Sequence, residues 1–378
     1  MDRRDFLKVG WLASLGPMFV RQPGLAGGRL LGTLPLGGQG AQPAPPFGQL
    51  LGSGLDARLF TDLSTLTPDT LVTPADRFFI RTTCPPQVSG ASWRIELGGL
   101  VRTPRTLAVD SLGDLVRPLG THVLECAGNT NPTNFGLISA ARWDGIPLMT
   151  LLDRVTPQSS GVRIAVSGVD DLTQRSQTSV PGASWIFSRD DIERAAAFLA
   201  TRMNGAPLPR DHGSPIRLVV PGWYGCACIK WVNQIDLVSD DAAATSQMIE
   251  FARRTHQDGQ PTLAREFTPA VIDAAAMPVR VEKWSAAGRV IYRLVGVLWG
   301  GSTPTNALQI RFKPSQPWVA VDDCPMPPSP TNWTLWSHVW RPQAPGRYEI
   351  VLRVNDPAVR TRRLDIFFYT REVEIDDV

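Results

Sequence analysis

Thr121-His122-Val123-Leu124-Glu125-Cys126-Ala127-Gly128-Asn129 runs an apolar strand into a tight turn and leaves a thiol at the strand's end. A thiolate is a soft, strongly donating ligand suited to a transition metal. Alternation along a strand sends Glu125 and Cys126 to opposite faces, so the acid is not forced against the sulfur. Gly128 removes bulk and lets a large ligand approach the backbone beside it. An isolated buried cysteine is more often a packing residue, and spacing alone leaves both readings open. Cys226-Ala227-Cys228 is a second place for thiol chemistry: on a strand the two sulfurs would face one side and could bind metal or meet an oxidant, although most such pairs are structural. Cys84 and Cys324 lie beside prolines in turns, where a disulfide could form but sequence cannot pair it. The five cysteines include no CxxC and no CxxCH, which excludes a c-type haem site, a zinc ribbon and a dense disulfide framework.

Short elements must position these residues. From 55 to 238, runs at 92–101, 121–126, 163–167, 216–220 and 232–238 read as strands bounded by Gly, Pro or Asp. The best helix is 188–203, with Ser188 as cap, acids in its first turn and Asn204-Gly205 at its end; 147–155 is a second. This is a mixed α+β body without the βαβ alternation or Gly-rich turn of a dinucleotide fold. Residues 239–279 read as a polar, Ala-rich connector. Beyond it, strands at 289–299, 307–313, 348–354 and 363–375 alternate apolar and polar positions between turn clusters, the profile of an immunoglobulin-like β-sandwich. The expected division is 1–54 as leader and linker, 55–245 as catalytic body, and 246–378 as connector and sandwich.

The chain's 378 residues suffice for two or three domains at roughly 100–200 residues each. Thirty-three Gly and thirty-three Pro work against long helices. A net charge of +3, from 38 basic and 35 acidic residues, is too balanced for an electrostatic nucleic-acid binder or a polybasic membrane anchor. Asp2-Arg3-Arg4-Asp5-Phe6-Leu7-Lys8 precedes a modest apolar stretch, far short of the roughly 20 residues that span a bilayer. It resembles a twin-arginine export signal, which implies a periplasmic protein that folds, often around a cofactor, before export.

Glu125-Cys126-Ala127-Gly128-Asn129 resembles the molybdenum-binding segment of the sulfite oxidase family, whose cysteine coordinates the metal beside the dithiolene of a molybdopterin. The run from Asp211-His212-Gly213-Ser214-Pro215-Ile216-Arg217 to Gly225, followed by Ile229-Lys230-Trp231, is similar to that family's second signature. The resemblance covers about residue 55 to the end. It implies Cys126 as metal ligand, Arg81 at the substrate, and His212, Arg217, Lys230 and Asp170 at the molybdopterin cofactor. It also implies an Ig-like dimerisation domain, hence a homodimer. Taken singly, Arg217 reads as an exposed strand residue, His212 as a turn histidine, Lys230 as an edge residue within an apolar strand and Asp170 as part of a turn. In this order and spacing Arg217, Lys230 and His212 would supply the cations and donors an anionic phosphate needs.

The sequence leaves the family at three places: Thr83 replaces a histidine, Asn131 an arginine, and Ser176 a tyrosine. Losing a cation and a phenol weakens the case for a compact dianion. The implied activity is oxygen-atom transfer at a Cys-ligated molybdenum, oxidising sulfite or a related sulfur compound, with electrons passed singly to a separate periplasmic carrier such as a cytochrome c, since no haem-binding segment is seen. The alternatives are a sulfoxide-type reductase and a cofactor-binding subunit without turnover. Neither a nucleic-acid partner nor a stable membrane anchor is expected.

Overall fold

The computed structural model describes residues 25–37, 46–88, 92–129, 135–176, 178–366 and 368–378. The Arg3-Arg4 segment and Asn131 lie outside the described residues. Strands dominate. Arg117–Glu125, Ile138–Pro147 and Phe198–Met203 run antiparallel in one sheet, with Ala206–Pro207 at its edge and Arg217–Val219 paired to Phe198–Met203. A second sheet orders Arg105–Ala108, Arg94–Gly99, Val232–Val238, Arg163–Gly168 and Ser184–Ser188, with one parallel pair between Arg94–Gly99 and Val232–Val238. Burial follows the period of two where one face is covered: Ile95 and Leu97 are buried while Arg94 and Glu96 are exposed. Ile138–Pro147 is buried on both faces over most of its length, which makes it a central strand.

The C-terminal half forms two four-stranded antiparallel sheets. One orders Arg29–Leu34, Ala275–Ala286, Arg289–Trp299 and Trp333–Trp340; the other orders Val319–Ala320, Leu308–Arg311, Gly346–Val354 and Arg371–Ile375. Trp340 joins them, stacking on Phe312 with centroids 4.2 Å apart and meeting Tyr348 edge-on at 4.8 Å.

Several elements differ from the sequence reading. The expected 188–203 helix is helical only over Arg189–Arg194, where the Ser188 hydroxyl accepts the Asp191 N–H at 3.1 Å. The chain then turns through Ala196 at φ 49° and continues as a strand. Phe198, Leu199, Ala200 and Met203 are wanted on both faces of the sheet, and their burial overrides the helix propensity of the alanine run before them. The second helix shortens to Leu148–Leu152. Lys230 does not lie in a strand, nor do Cys226 and Cys228: Gly225–Ala227 is a 3₁₀ turn, and the chain stays irregular until Val232. The expected strand at 363–375 exists only as Arg371–Ile375. Arg29–Leu34, expected in the linker, adds an edge strand to Ala275–Ala286. The 239–279 connector holds a helix, Ser246–Phe251.

Candidate active site

Arg81, Cys126, Asp170, His212, Arg217 and Lys230 come from six separate stretches of chain, and all line one cavity. Cys126 follows directly on Arg117–Glu125 and is 6% exposed. Its N–H donates to Leu137 O at 2.9 Å, and its Sγ accepts the Gly128 N–H at 3.3 Å. Fully buried Asn129 holds the turn: its Nδ2 donates to Glu125 Oε1 at 3.2 Å, and its Oδ1 accepts the N–H groups of Gly136 and Leu137 at 3.0 and 3.1 Å. Glu125 turns away from the cavity, as alternation requires, into a buried pair with Arg362 at 2.6 Å and a bond from Trp299 Nε1 at 2.8 Å.

The cations gather on another wall. Arg217 is buried, donating through Nη1 to His212 O at 3.1 Å and through Nη2 to Cys228 O at 3.2 Å, while its Nε has no partner. Lys230 Nζ donates to Thr82 O at 2.5 Å, Asp211 O at 2.9 Å and Arg81 O at 3.3 Å, and lies 4.3 Å from the Trp231 ring centroid. Among the described residues neither cation forms an ion pair. Gly213 makes their convergence possible: at φ 105° a Cβ there would stand 2.8 Å from the Arg217 Cβ and 3.3 Å from that of Lys230. Burial, then repulsion from Arg217, pushes the Lys230 ammonium down to about 7. Burial followed by Lys230 and Arg217 pushes His212 down to about 4, and burial alone takes Arg217 to about 10. Arg217 and Lys230, drawn together without an ion-pair partner among the described residues and with Asp211 as the nearby acid, make a cluster suited to an anion.

Asp170 is both a lining residue and a turn: its carboxylate accepts the N–H groups of Asp171 at 2.9 Å and Gly182 at 2.7 Å. Thr83 and Ser176 do not line the cavity. Thr83 Oγ1 accepts the Gly54 N–H at 2.8 Å, and the Ser176 hydroxyl donates to Asp56 at 2.7 Å. Cys226 is a cavity residue, but burial and the neighbouring Cys126 hold its thiol well above the ordinary range; burial likewise raises Cys228. The sequence reading missed Gln247, Glu250 and Phe251, which bring the supposed connector into the wall. The available signal was Thr245, whose hydroxyl accepts the Met248 N–H at 3.2 Å as an N-cap, ahead of Met248 and Phe251 at helical spacing.

The donor set fits a molybdopterin. Among the described residues no three His, Cys, Asp or Glu side chains could together hold a metal, so a metal bound at Cys126 would need donors beyond these side chains, which a dithiolene chelate would supply. Arg217 Nε is a buried donor without a partner, the kind of group a phosphate satisfies.

The model of the oxidoreductase molybdopterin binding domain matches residues 82–246. Sulfite oxidase of Gallus gallus is 28% identical over 331 residues, 77% of this chain and 68% of that protein. The mitochondrial sulfite oxidase of Homo sapiens is 26% identical over 271 residues, 63% of this chain and 49% of its own length. The chain thus spans about half to two thirds of these relatives. Among solved structures, the sulfane dehydrogenase SoxCD from Paracoccus pantotrophus superposes with a TM-score of 0.61 at 19% identity, covering 87% of this chain and 88% of the other, so the two share a fold.

Proposed function

Because the chain belongs to the sulfite oxidase family of molybdopterin-dependent oxidoreductases, we propose that the cavity is its active site and that it oxidises a small sulfur oxyanion. One observation carries this reading: a buried thiol, buried Arg217 and half-buried Lys230, neither cation in an ion pair among the described residues, share a single cavity. The bound molybdenum cofactor supplies two-electron oxygen-atom transfer chemistry. Cys126 gives a sulfur ligand, held in direction by the Gly128 N–H and by the turn that Asn129 ties. His212, Arg217 and Lys230 bind the cofactor's phosphate and Asp170 shapes the wall beside it, while Arg81 orients the substrate. Phe78, Phe79 and Phe251 exclude water from the site.

Electrons would leave singly to a separate carrier, for which a periplasmic cytochrome c is the reading that goes with export through the Arg3-Arg4 signal. The C-terminal pair of sheets is read as an Ig-like dimerisation domain, on the alternation and face-to-face packing of its strands. A second reading, reduction of a sulfoxide-type substrate, draws on Ser176, whose hydroxyl is committed to Asp56 and stands where a phenol was expected.

The test is molybdenum and pterin analysis of the natively exported protein beside Cys126→Ser. We expect about one molybdenum per chain of the wild type in the periplasmic fraction, as a dimer by light scattering, and strong depletion in the variant. Equal metal in both proteins would refute Cys126 as ligand. Oxidation of sulfite by ferricyanide, against oxidation of a reduced dye by sulfoxides, decides the direction.

A further inference from the structure

The arginines nearest the thiol are arranged differently from the cofactor cations. Arg58 and Arg81 stand directly opposite each other across the two-stranded ribbon Arg58–Leu59 and Ile80–Arg81, a like-charge pairing that a sheet ordinarily avoids. Arg58 is engaged with protein, through Leu55 O at 3.0 Å, Ala57 O at 2.7 Å and Thr178 Oγ1 at 3.0 Å, so it backs Arg81, whose side chain lines the cavity. A third arginine arrives from the segment after the Ser246–Phe251 helix. Arg254 Nη1 lies 3.4 Å, and Cys126 Sγ 3.5 Å, from the point that a Cβ on Gly128 would occupy. The guanidinium therefore overhangs the thiol across a gap that Gly128 keeps open. Arg254 is exposed, touches the Phe251 ring at 5.7 Å, and has no carboxylate within ion-pair distance among the described residues. Glu250, on the preceding helix, has both of its oxygens taken, by the Ser179 hydroxyl at 2.8 Å and the Val180 N–H at 3.1 Å, and Asp56 also acts on Arg58 and Arg81.

Burial first, then Arg81, depresses Arg58 to about 10; burial also depresses Arg81, against the opposing pull of Cys126, Glu250 and Asp56, and Arg254 adds the smallest push, downward, on both. Three like charges crowded at the mouth of a cavity are stabilised by an anion between them. We propose that Arg254, with Arg81, forms the substrate clamp over Cys126 and selects a compact sulfur oxyanion against neutral sulfoxides. This rests on the reading of the cavity as the active site and assigns its specificity to a residue outside both sequence signatures.

The holoenzyme tests it, with Arg254→Gln and Arg254→Lys compared with wild type and with Arg253→Gln as a neighbouring-charge control. With sulfite as substrate and ferricyanide as acceptor, we expect Arg254→Gln to raise KM by about tenfold or more, with kcat changed less and molybdenum content unchanged. Arg254→Lys recovers part of the loss and Arg253→Gln shows none. Sulfate binding, followed by calorimetry on the same preparations, weakens by a similar factor in Arg254→Gln. Unchanged KM and unchanged sulfate affinity in fully loaded Arg254→Gln would overturn the clamp while leaving the oxidoreductase reading intact. Loss of molybdenum in that variant would overturn it too, by moving Arg254 into the cofactor's cradle. A wild type without molybdenum refutes the oxidoreductase reading alone, and sulfate affinity then still decides for or against the clamp.

Discussion

Lys230 carries a charge that its surroundings oppose, and the opposition has a sign that can be followed with pH. Its ammonium is pushed from the ordinary 10.5 down to about 7, by burial first and Arg217 next. Below pH 7 the folded and unfolded chains both hold the proton, and the folded cofactor-free protein bears the full cost of the buried charge. Between about 7 and 10.5 only the unfolded chain holds it, so this cost fades as pH rises. Relative to Lys230→Met, the cofactor-free wild type should therefore gain stability with rising pH across that window, by on the order of 2–4 kcal/mol in thermal or urea melts. Inorganic phosphate needs the charged form, so its stabilising effect should be largest below pH 7 and decline above it. A flat difference between the two proteins from pH 7 to 10 would remove the unpaired ammonium from the account. That Cys126, His212, Arg217 and Lys230 come together in one cavity was legible in the sequence, because thiol, imidazole and cation stand at motif positions in a fixed order. Arg254 was not: one exposed arginine among many has no local signature, and only the turn at Gly128 brings it over the sulfur.

The elements around the site were legible where a period of two was strong, and they failed where tertiary burial overrode local propensity. Arg163–Gly168, Val232–Val238 and Arg289–Trp299 fall where their alternation or apolar runs put them. Phe198–Met203 does not, since a helix cap at Ser188 followed by three alanines reads as one long helix until the sheet claims its second half. The connector is the costliest miss, because the wall that faces Cys126 is built on Ser246–Phe251. Thr245 holds that helix at both ends of its own side chain's reach, accepting from Met248 N and donating to Ser184 O at 2.7 Å. Thr245→Ala should cost about 1 kcal/mol of stability. It should also raise KM for sulfite several-fold with little change in kcat, because the arginine that follows the helix loses its anchor while the metal site keeps its own. Unaltered KM at the lowered stability would show that the helix does not position the mouth.

At the scale of the molecule, the strand that leads into Cys126 is pinned to the C-terminal half by a buried charge pair. Glu125 is fully buried, and its carboxylate receives Arg362 Nη1 at 2.9 Å and Nη2 at 2.6 Å as well as Trp299 Nε1. Burial opposes the charge on Arg362, yet Glu125 outweighs it and holds the guanidinium well above its ordinary value. Arg362 also donates to Tyr369 Oη at 2.8 Å and lies 5.3 Å from the Tyr224 ring centroid, so it gathers residues from both halves behind Cys126. Removing one partner leaves the other charge buried and uncompensated. Glu125→Gln and Arg362→Met should each cost about 3–5 kcal/mol in urea unfolding, and the double variant should cost less than the two singles added together. Arg362→Met should in addition lower the molybdenum content, since the end of the strand at Glu125 then loses its charged anchor and keeps only the uncharged ties of Thr121, His122 and Val123 to Thr331 and Asn332. If each single change cost under about 1 kcal/mol and metal content stayed full, the two halves would be shown to fold and load independently, and the strong coupling between Glu125 and Arg362 would have no part in setting the thiol.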